Sequence, residues 1–123
     1  MSNAGKMYKV DIITRREKLD DLKEALISIG VTGMTVSDVY GCGLTSGHTE
    51  IYRGNSVEVS LMPKIKVETV IYETPLEELI ATAEKACYTG RIGDGKIFVY
   101  EVARAVKIRT GERDGEAIVD YHE

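Results

Sequence analysis

Gly30-Val31-Thr32-Gly33 is echoed further along the chain by Gly90-Arg91-Ile92-Gly93, and this echo constrains the fold more than any other feature. Each copy follows a stretch of helical periodicity and precedes one of strand-like composition. Before the first, Leu19, Leu22, Ala25, Leu26 and Ile29 recur at spacings of three and four. Glu17, Asp20 and Asp21 crowd the opening turns, and Gly30 stands where a C-terminal cap is wanted. Before the second, Thr74, Pro75 and Glu77 predict a capping box with proline at the first helical position. Leu76, Leu79, Ile80, Ala83, Ala86 and Cys87 form its apolar stripe, which makes Cys87 a core residue. A chain with two such passages is built from two similar halves.

The strands complete the pattern. Tyr8, Val10 and Ile12 predict a first strand over residues 7–14, and residues 34–40 read as a second. Pro63 opens a third, in which Ile65, Val67 and Val70 are apolar and Lys64, Lys66 and Glu68 are not. A long fourth strand, rich in Ile, Val, Phe and Tyr, is predicted from Lys96 to about Lys107. The order βαββαβ predicts an α+β, ferredoxin-like split βαβ sandwich with both helices on one face of an antiparallel sheet. Apolar residues on both faces of the fourth strand, Ile97, Val99 and Ala103 against Phe98, Tyr100 and Val102, leave the second face in need of cover. A homo-oligomer is expected. Between the second and third strands, Gly41, Gly43, Ser46, Gly47, Gly54, Asn55 and Ser56 break any regular pattern. Residues 41–62 are either a binding arm or a β-hairpin extension, since Val57 and Val59 alternate with Glu58 and Ser60.

Composition limits the partners. The chain has 123 residues, 29% of them charged and 43% hydrophobic, with a formal net charge of −4. One domain is expected over residues 7–123, after an expression-tag remnant and disordered start over residues 1–6. No apolar stretch approaches the roughly 18 residues that span a bilayer, so direct membrane insertion is not expected. The acidic balance argues against nucleic acid, and any anionic ligand should be small. Cys42 and Cys87 have no metal-ligand spacing and make a poor disulfide framework, which fits a reducing cytoplasm.

Against this acidic background, cations gather in residues 89–112. The segment Gly90-Arg91-Ile92-Gly93-Asp94-Gly95-Lys96 runs from helix to strand, the reverse of a Walker A loop. Its glycines either let successive N–H groups form an anion nest rimmed by Arg91 and Lys96, or serve a tight connection needing φ > 0. Lys107 and Arg109, two apart on an extended segment, share a side. They lie at the far end of the fourth strand, so one subunit can hardly close both clusters on one ligand, whereas two neighbours can.

Thr89-Gly90-Arg91-Ile92-Gly93-Asp94-Gly95-Lys96-Ile97-Phe98-Val99, followed by Ala103-Arg104 and Arg109-Thr110-Gly111-Glu112, resembles the C-terminal signature of the PII nitrogen-regulatory signal-transduction family. Gly47-His48-Thr49-Glu50-Ile51-Tyr52-Arg53-Gly54 and Leu61-Met62-Pro63-Lys64 resemble that family's T-loop and its exit. The resemblance places a T-loop at about 41–62, a B-loop at about 89–96 and a C-loop at about 107–116. It implies a non-catalytic homotrimer that binds ATP or ADP in clefts between subunits and regulates nitrogen-metabolism partners through the T-loop. By the family pattern Gly93, Asp94, Gly95 and Lys96 cradle phosphates with Arg91 beside them, while Lys107 and Arg109 arrive from the adjacent subunit. Thr35, Gly43, Glu68 and Val70 match further nucleotide-binding positions.

The departures carry expectations of their own. Thr45 stands where the family has a glutamine that helps hold Mg²⁺ and 2-oxoglutarate, and it follows Leu44, where a basic residue is common. Lys64 matches the lysine that pairs with the 2-oxoglutarate carboxylate. Weak or absent 2-oxoglutarate binding is therefore expected, with adenine nucleotides still bound. Val57 replaces the uridylylated tyrosine and Asn55 the phosphorylated serine of relatives, so neither modification is expected; Tyr52 and Ser56 are the remaining loop hydroxyls. The alternative classes are a PII-like sensor of another small molecule and a phosphatase-like ferredoxin-fold enzyme. His48 and Cys42 offer the latter no paired base and nucleophile. The resemblance implies a regulatory partner such as an ammonium channel or a nitrogen-assimilation enzyme.

Overall fold

The computed structural model describes residues 3–44 and 59–119. Four antiparallel strands, β1 (Met7–Arg15), β2 (Thr35–Leu44), β3 (Val59–Ile71) and β4 (Lys96–Val102), form one sheet in the order β2-β3-β1-β4. Helix α1 (Leu19–Ser28), entered through a 3-10 turn at Arg16–Lys18, and helix α2 (Leu76–Cys87) give the predicted βαββαβ order. A short α3 (Gly115–Ile118) follows.

Alternation fixes which face is which. Val10 and Ile12 of β1 and Ile65, Val67 and Ile71 of β3 point to the helices, where Leu22 and Leu26 of α1 meet Leu79, Ala83 and Cys87 of α2. The stop of α1 explains Gly30 on physical grounds. Gly30 takes φ +101°, its N–H donates to the Ile27 carbonyl, and the Val31 N–H donates to that of Leu26, which is a Schellman closure with Val31 and Leu26 both buried.

Three local expectations give way. The Thr74-Pro75-Glu77 capping box does not form: α2 begins at Leu76 after Pro75, and the Thr74 hydroxyl donates to the Ile29 carbonyl instead. The Leu76 N–H is accepted by Asn3 Oδ1, while Asn3 Nδ2 donates to the carbonyls of Tyr72 and Thr74. Asn3 is thus a buried cap within the stretch expected to be a disordered remnant. Strand β4 ends at Val102 rather than near Lys107, because Val102 pairs with Met7, the first residue of β1, and no partner backbone remains beyond it. The chain instead folds back on itself, with Val106 bridged to Arg113.

Of the two readings of residues 41–62, the β-hairpin extension fits their described ends. Gly41, Cys42, Gly43 and Leu44 pair with Met62, Leu61, Ser60 and Val59, so both ends of the 41–62 segment are a β-ribbon extending the sheet. Thr45, His48, Tyr52, Asn55, Ser56 and Val57 lie outside the described residues.

The second face of the sheet is more ionic than its composition suggested. Phe98 and Tyr100 of β4 sit opposite Asp11 and Lys9 of β1. Lys9 pairs with Glu68 at 3.0 Å and reaches Asp11 at 3.5 Å, and Lys66 lies 3.9 Å from both carboxylates.

Candidate functional site

The antiparallel register divides the candidate residues between two ends of the sheet. Lys96 is opposite Ile13 at one end of β4, and Val102 is opposite Met7 at the other. Seven residues of strand span roughly 20 Å. The glycine-rich turn thus sits beside the C-terminal end of β1, and the 107–112 turn lies beyond its N-terminal end.

At the first end, the turn is fastened from three sides. The buried Thr14 hydroxyl donates to the Asp94 carbonyl at 2.8 Å. Arg15 donates through Nε to Asp94 Oδ1 at 3.2 Å and through Nη2 to the Ile92 carbonyl at 2.8 Å. Lys64 Nζ, from β3, donates to the Gly93 carbonyl. Gly93 and Gly95 have φ of +108° and +103°, and a Cβ at Gly95 would lie 1.8 Å from the Ile13 carbonyl oxygen. Glycine at 95 is therefore demanded twice, by conformation and by space.

The Asp94 side chain is turned inward. Its carboxylate faces the turn itself: the N–H groups of Thr89 and Gly90 donate to Oδ2 at 2.8 and 2.9 Å, and the Thr89 hydroxyl and Arg15 donate to Oδ1. The Thr89 hydroxyl and backbone, followed by Gly90 and Arg15, hold its pKa far below the usual carboxylate range. What the turn can offer a phosphate is its backbone N–H groups, with the exposed Arg91 and Lys96 at the rim.

The other half is assembled at the opposite end. Thr35 pairs with Glu68 across β2 and β3, and both line, with Val70, an open cleft of about 410 Å³ whose wall includes Ala117 and Ile118 of α3. Lys9 hydrogen-bonds Glu68 and lowers its pKa, leaving an ionised acceptor at the cleft edge. Gly43, paired with Ser60, lies instead on the β-ribbon beyond Lys64, at the same end of the sheet as the glycine-rich turn.

Lys107 and Arg109 are not on an extended segment. The Gly111 N–H donates to the Lys107 carbonyl at 2.7 Å and the Lys107 N–H to the Glu112 carbonyl at 2.9 Å, which closes a tight turn. Inside it, Lys107 Nζ pairs with Glu112 at 3.5 Å and donates to the Val119 carbonyl at 3.3 Å, while Arg109 is exposed.

The structure thus groups Arg91, Gly93, Gly95, Lys96 and Lys64 at one end and Thr35, Glu68 and Val70 at the other. Sequence reasoning missed Thr14, Arg15 and Thr89, which shape the turn, and Glu112, which faces Lys107. Thr14 and Arg15 could have been suspected from the split βαβ order alone, since it places the end of the first strand beside the start of the fourth.

The family model described as nitrogen regulatory protein P-II matches residues 7–112. The nitrogen regulatory protein P-II of Klebsiella oxytoca is 49% identical over 112 residues, covering 91% of this chain and all of the relative. The nitrogen regulatory PII-like protein of Bacillus subtilis (strain 168) is 45% identical over 115 residues, 94% of this chain and 99% of its own. Among solved structures, the B. subtilis GlnK–ATP complex superposes with a TM-score of 0.83 at 46% identity, covering 92% of this chain and 98% of that one. Arabidopsis thaliana PII bound to citrate gives a TM-score of 0.76 at 34% identity, with coverages of 97% and 95%.

Proposed function

Because this chain belongs to the nitrogen regulatory protein P-II family, whose members are regulatory signal-transduction proteins and not enzymes, we propose that it signals by binding ATP or ADP between copies of itself. The observation that carries this reading is the division of the candidate residues. One chain presents a phosphate-type half-site at one end of its sheet and a nucleoside-type half-site with a second cationic turn at the other. The copies are arranged as a homotrimer, so that each cleft takes Arg91, Gly93, Gly95 and Lys96 from one chain and Lys107 and Arg109 from its neighbour. Gly43 lies on the phosphate side, while Thr35, Glu68 and Val70 contact the remainder of the nucleotide. That a B. subtilis relative was solved with ATP supports the choice of ligand.

Magnitudes show what the cations alone supply. At roughly 1.5–3 kcal/mol per charge-assisted hydrogen bond, four of them offer about 6–12 kcal/mol gross, against an association cost of about 4–15 kcal/mol. The turn's amides and the contacts to the base must therefore carry a substantial share. Asp94 spends its carboxylate on its own turn, so a Mg²⁺ would depend on the nucleotide phosphates for most of its ligands. With Thr45 in place of the family's glutamine, 2-oxoglutarate binds weakly or not at all, even though Lys64 is retained.

The output is a shift among conformations of the 41–62 segment, read by a cytoplasmic or membrane-bound nitrogen-metabolism partner such as an ammonium channel or an assimilation enzyme. A nucleotide moves that equilibrium only by its unequal affinity for the conformations. Titration calorimetry tests the ligand set. ATP and ADP are expected to bind, and 2-oxoglutarate with Mg-ATP is expected to add little heat. Absence of nucleotide binding, or tight Mg-ATP-dependent 2-oxoglutarate binding, contradicts the reading at the corresponding point.

A further inference from the structure

We propose that Arg15 is a positioning residue for the phosphate half of this site, setting the direction of its backbone N–H groups without itself touching the ligand. The inference rests on the nucleotide-binding reading above. Arg15 closes β1 in an extended conformation, φ −69° and ψ 142°, with a side chain only 17% exposed. Its guanidinium fork spans two acceptors on the turn, the Ile92 carbonyl and Asp94 Oδ1. The bare Cα of Gly93 lies between them, where a Cβ would come within 3.1 Å of Arg15 Nη2.

The consequence follows from peptide geometry. In a trans peptide the C=O and the next N–H point in opposite directions. Drawing the Ile92 carbonyl toward Arg15 turns the Gly93 N–H away from β1, and drawing the Asp94 carbonyl toward Thr14 does the same for the Gly95 N–H. Both amides are thereby aimed outward from the β1 end, on the side where a phosphate can approach. Arg15 also fixes the Asp94 carboxylate inside the turn, away from an incoming anion. A lysine cannot replace it fully, because one ammonium reaches either acceptor but lacks the rigid fork that spans both.

The test compares wild type, Arg15→Gln, Asp94→Asn and the double variant, reading nucleotide affinity by calorimetry and the Gly93 and Gly95 amides by NMR. In Arg15→Gln these amide resonances shift in the ligand-free protein, ATP affinity falls about tenfold or more, and adenosine affinity falls less. Asp94→Asn then adds less in the Arg15→Gln background than alone. If Arg15→Gln does not fold, Arg15→Lys carries the test with an intermediate loss and the same amide shifts. An unchanged ATP affinity overturns the proposal, as does a loss of affinity with the free-state amides unmoved, which marks a direct contact with the ligand. A wild type that binds no nucleotide refutes the underlying reading instead, and takes this inference with it.

Discussion

Asp94 holds its own turn together through its side chain. Its carboxylate is enclosed by donors of its own turn, led by Thr89, and its pKa lies below the ordinary value near 3.9. A depressed carboxylate stabilises the fold above its unfolded pKa, and that contribution is lost as pH falls through the folded pKa. Asp94→Asn is therefore expected to lower the thermal midpoint at pH 7. The gap between variant and wild type should narrow progressively below about pH 4, measured by circular dichroism melts across pH. A gap that stays constant down to pH 2 would show that the charge of Asp94 is not what holds the turn. From sequence, the glycines and cations of this turn were legible because their types are restrictive. The orientation of one carboxylate among them was not, because it depends on Thr89 and on Arg15, some 80 positions away in the chain.

Among the elements, the four-residue α3 is too short to show a period, whereas α1, α2 and all four strands were legible, since apolar periodicity records which face is buried. Their ends were less so. The end of β4 is set by where β1 begins, and the β2–β3 ribbon is set by register, neither of which is written in the composition of the strand concerned. The start of α2 is the sharpest case. Thr74 and Glu77 have the chemistry of a capping box, yet the competing acceptor at Ile29 takes the Thr74 hydroxyl and a side chain remote in sequence, Asn3, caps the helix. Removing a cap costs about 0.5–2 kcal/mol, so Asn3→Ala is expected to destabilise the protein by about 1–2 kcal/mol, its two further hydrogen bonds raising the value. Urea denaturation measures this. A change under about 0.3 kcal/mol would mean that water replaces Asn3 without cost.

For the molecule as a whole, the sheet has one face sealed by helices and one that carries Lys9, Asp11, Lys66 and Glu68 beside Phe98 and Tyr100. Asp11 is only 4% exposed on that ionic face. A buried carboxylate needs neighbouring cations, and two lysines supply them in a single chain. The second face therefore mixes an ion-paired cluster with the exposed rings of Phe98 and Tyr100; alternation reveals which residues share a face but not how their charges pair. On the proposed reading, a neighbour is needed to complete the nucleotide site. Its two halves lie at opposite ends of one sheet, and a heterologous, head-to-tail contact between copies brings unlike ends together.

Complementation between two defective variants tests that claim most directly. Arg91→Ala/Lys96→Ala damages one half-site and Lys107→Ala/Arg109→Ala the other, and each homo-oligomer is expected to lose ATP binding. Co-refolded in equal amounts, the two should restore binding in about one cleft in four, the share in which two intact halves meet by random assembly of a head-to-tail ring. Mixed oligomers as inactive as their parents would contradict a site shared between chains.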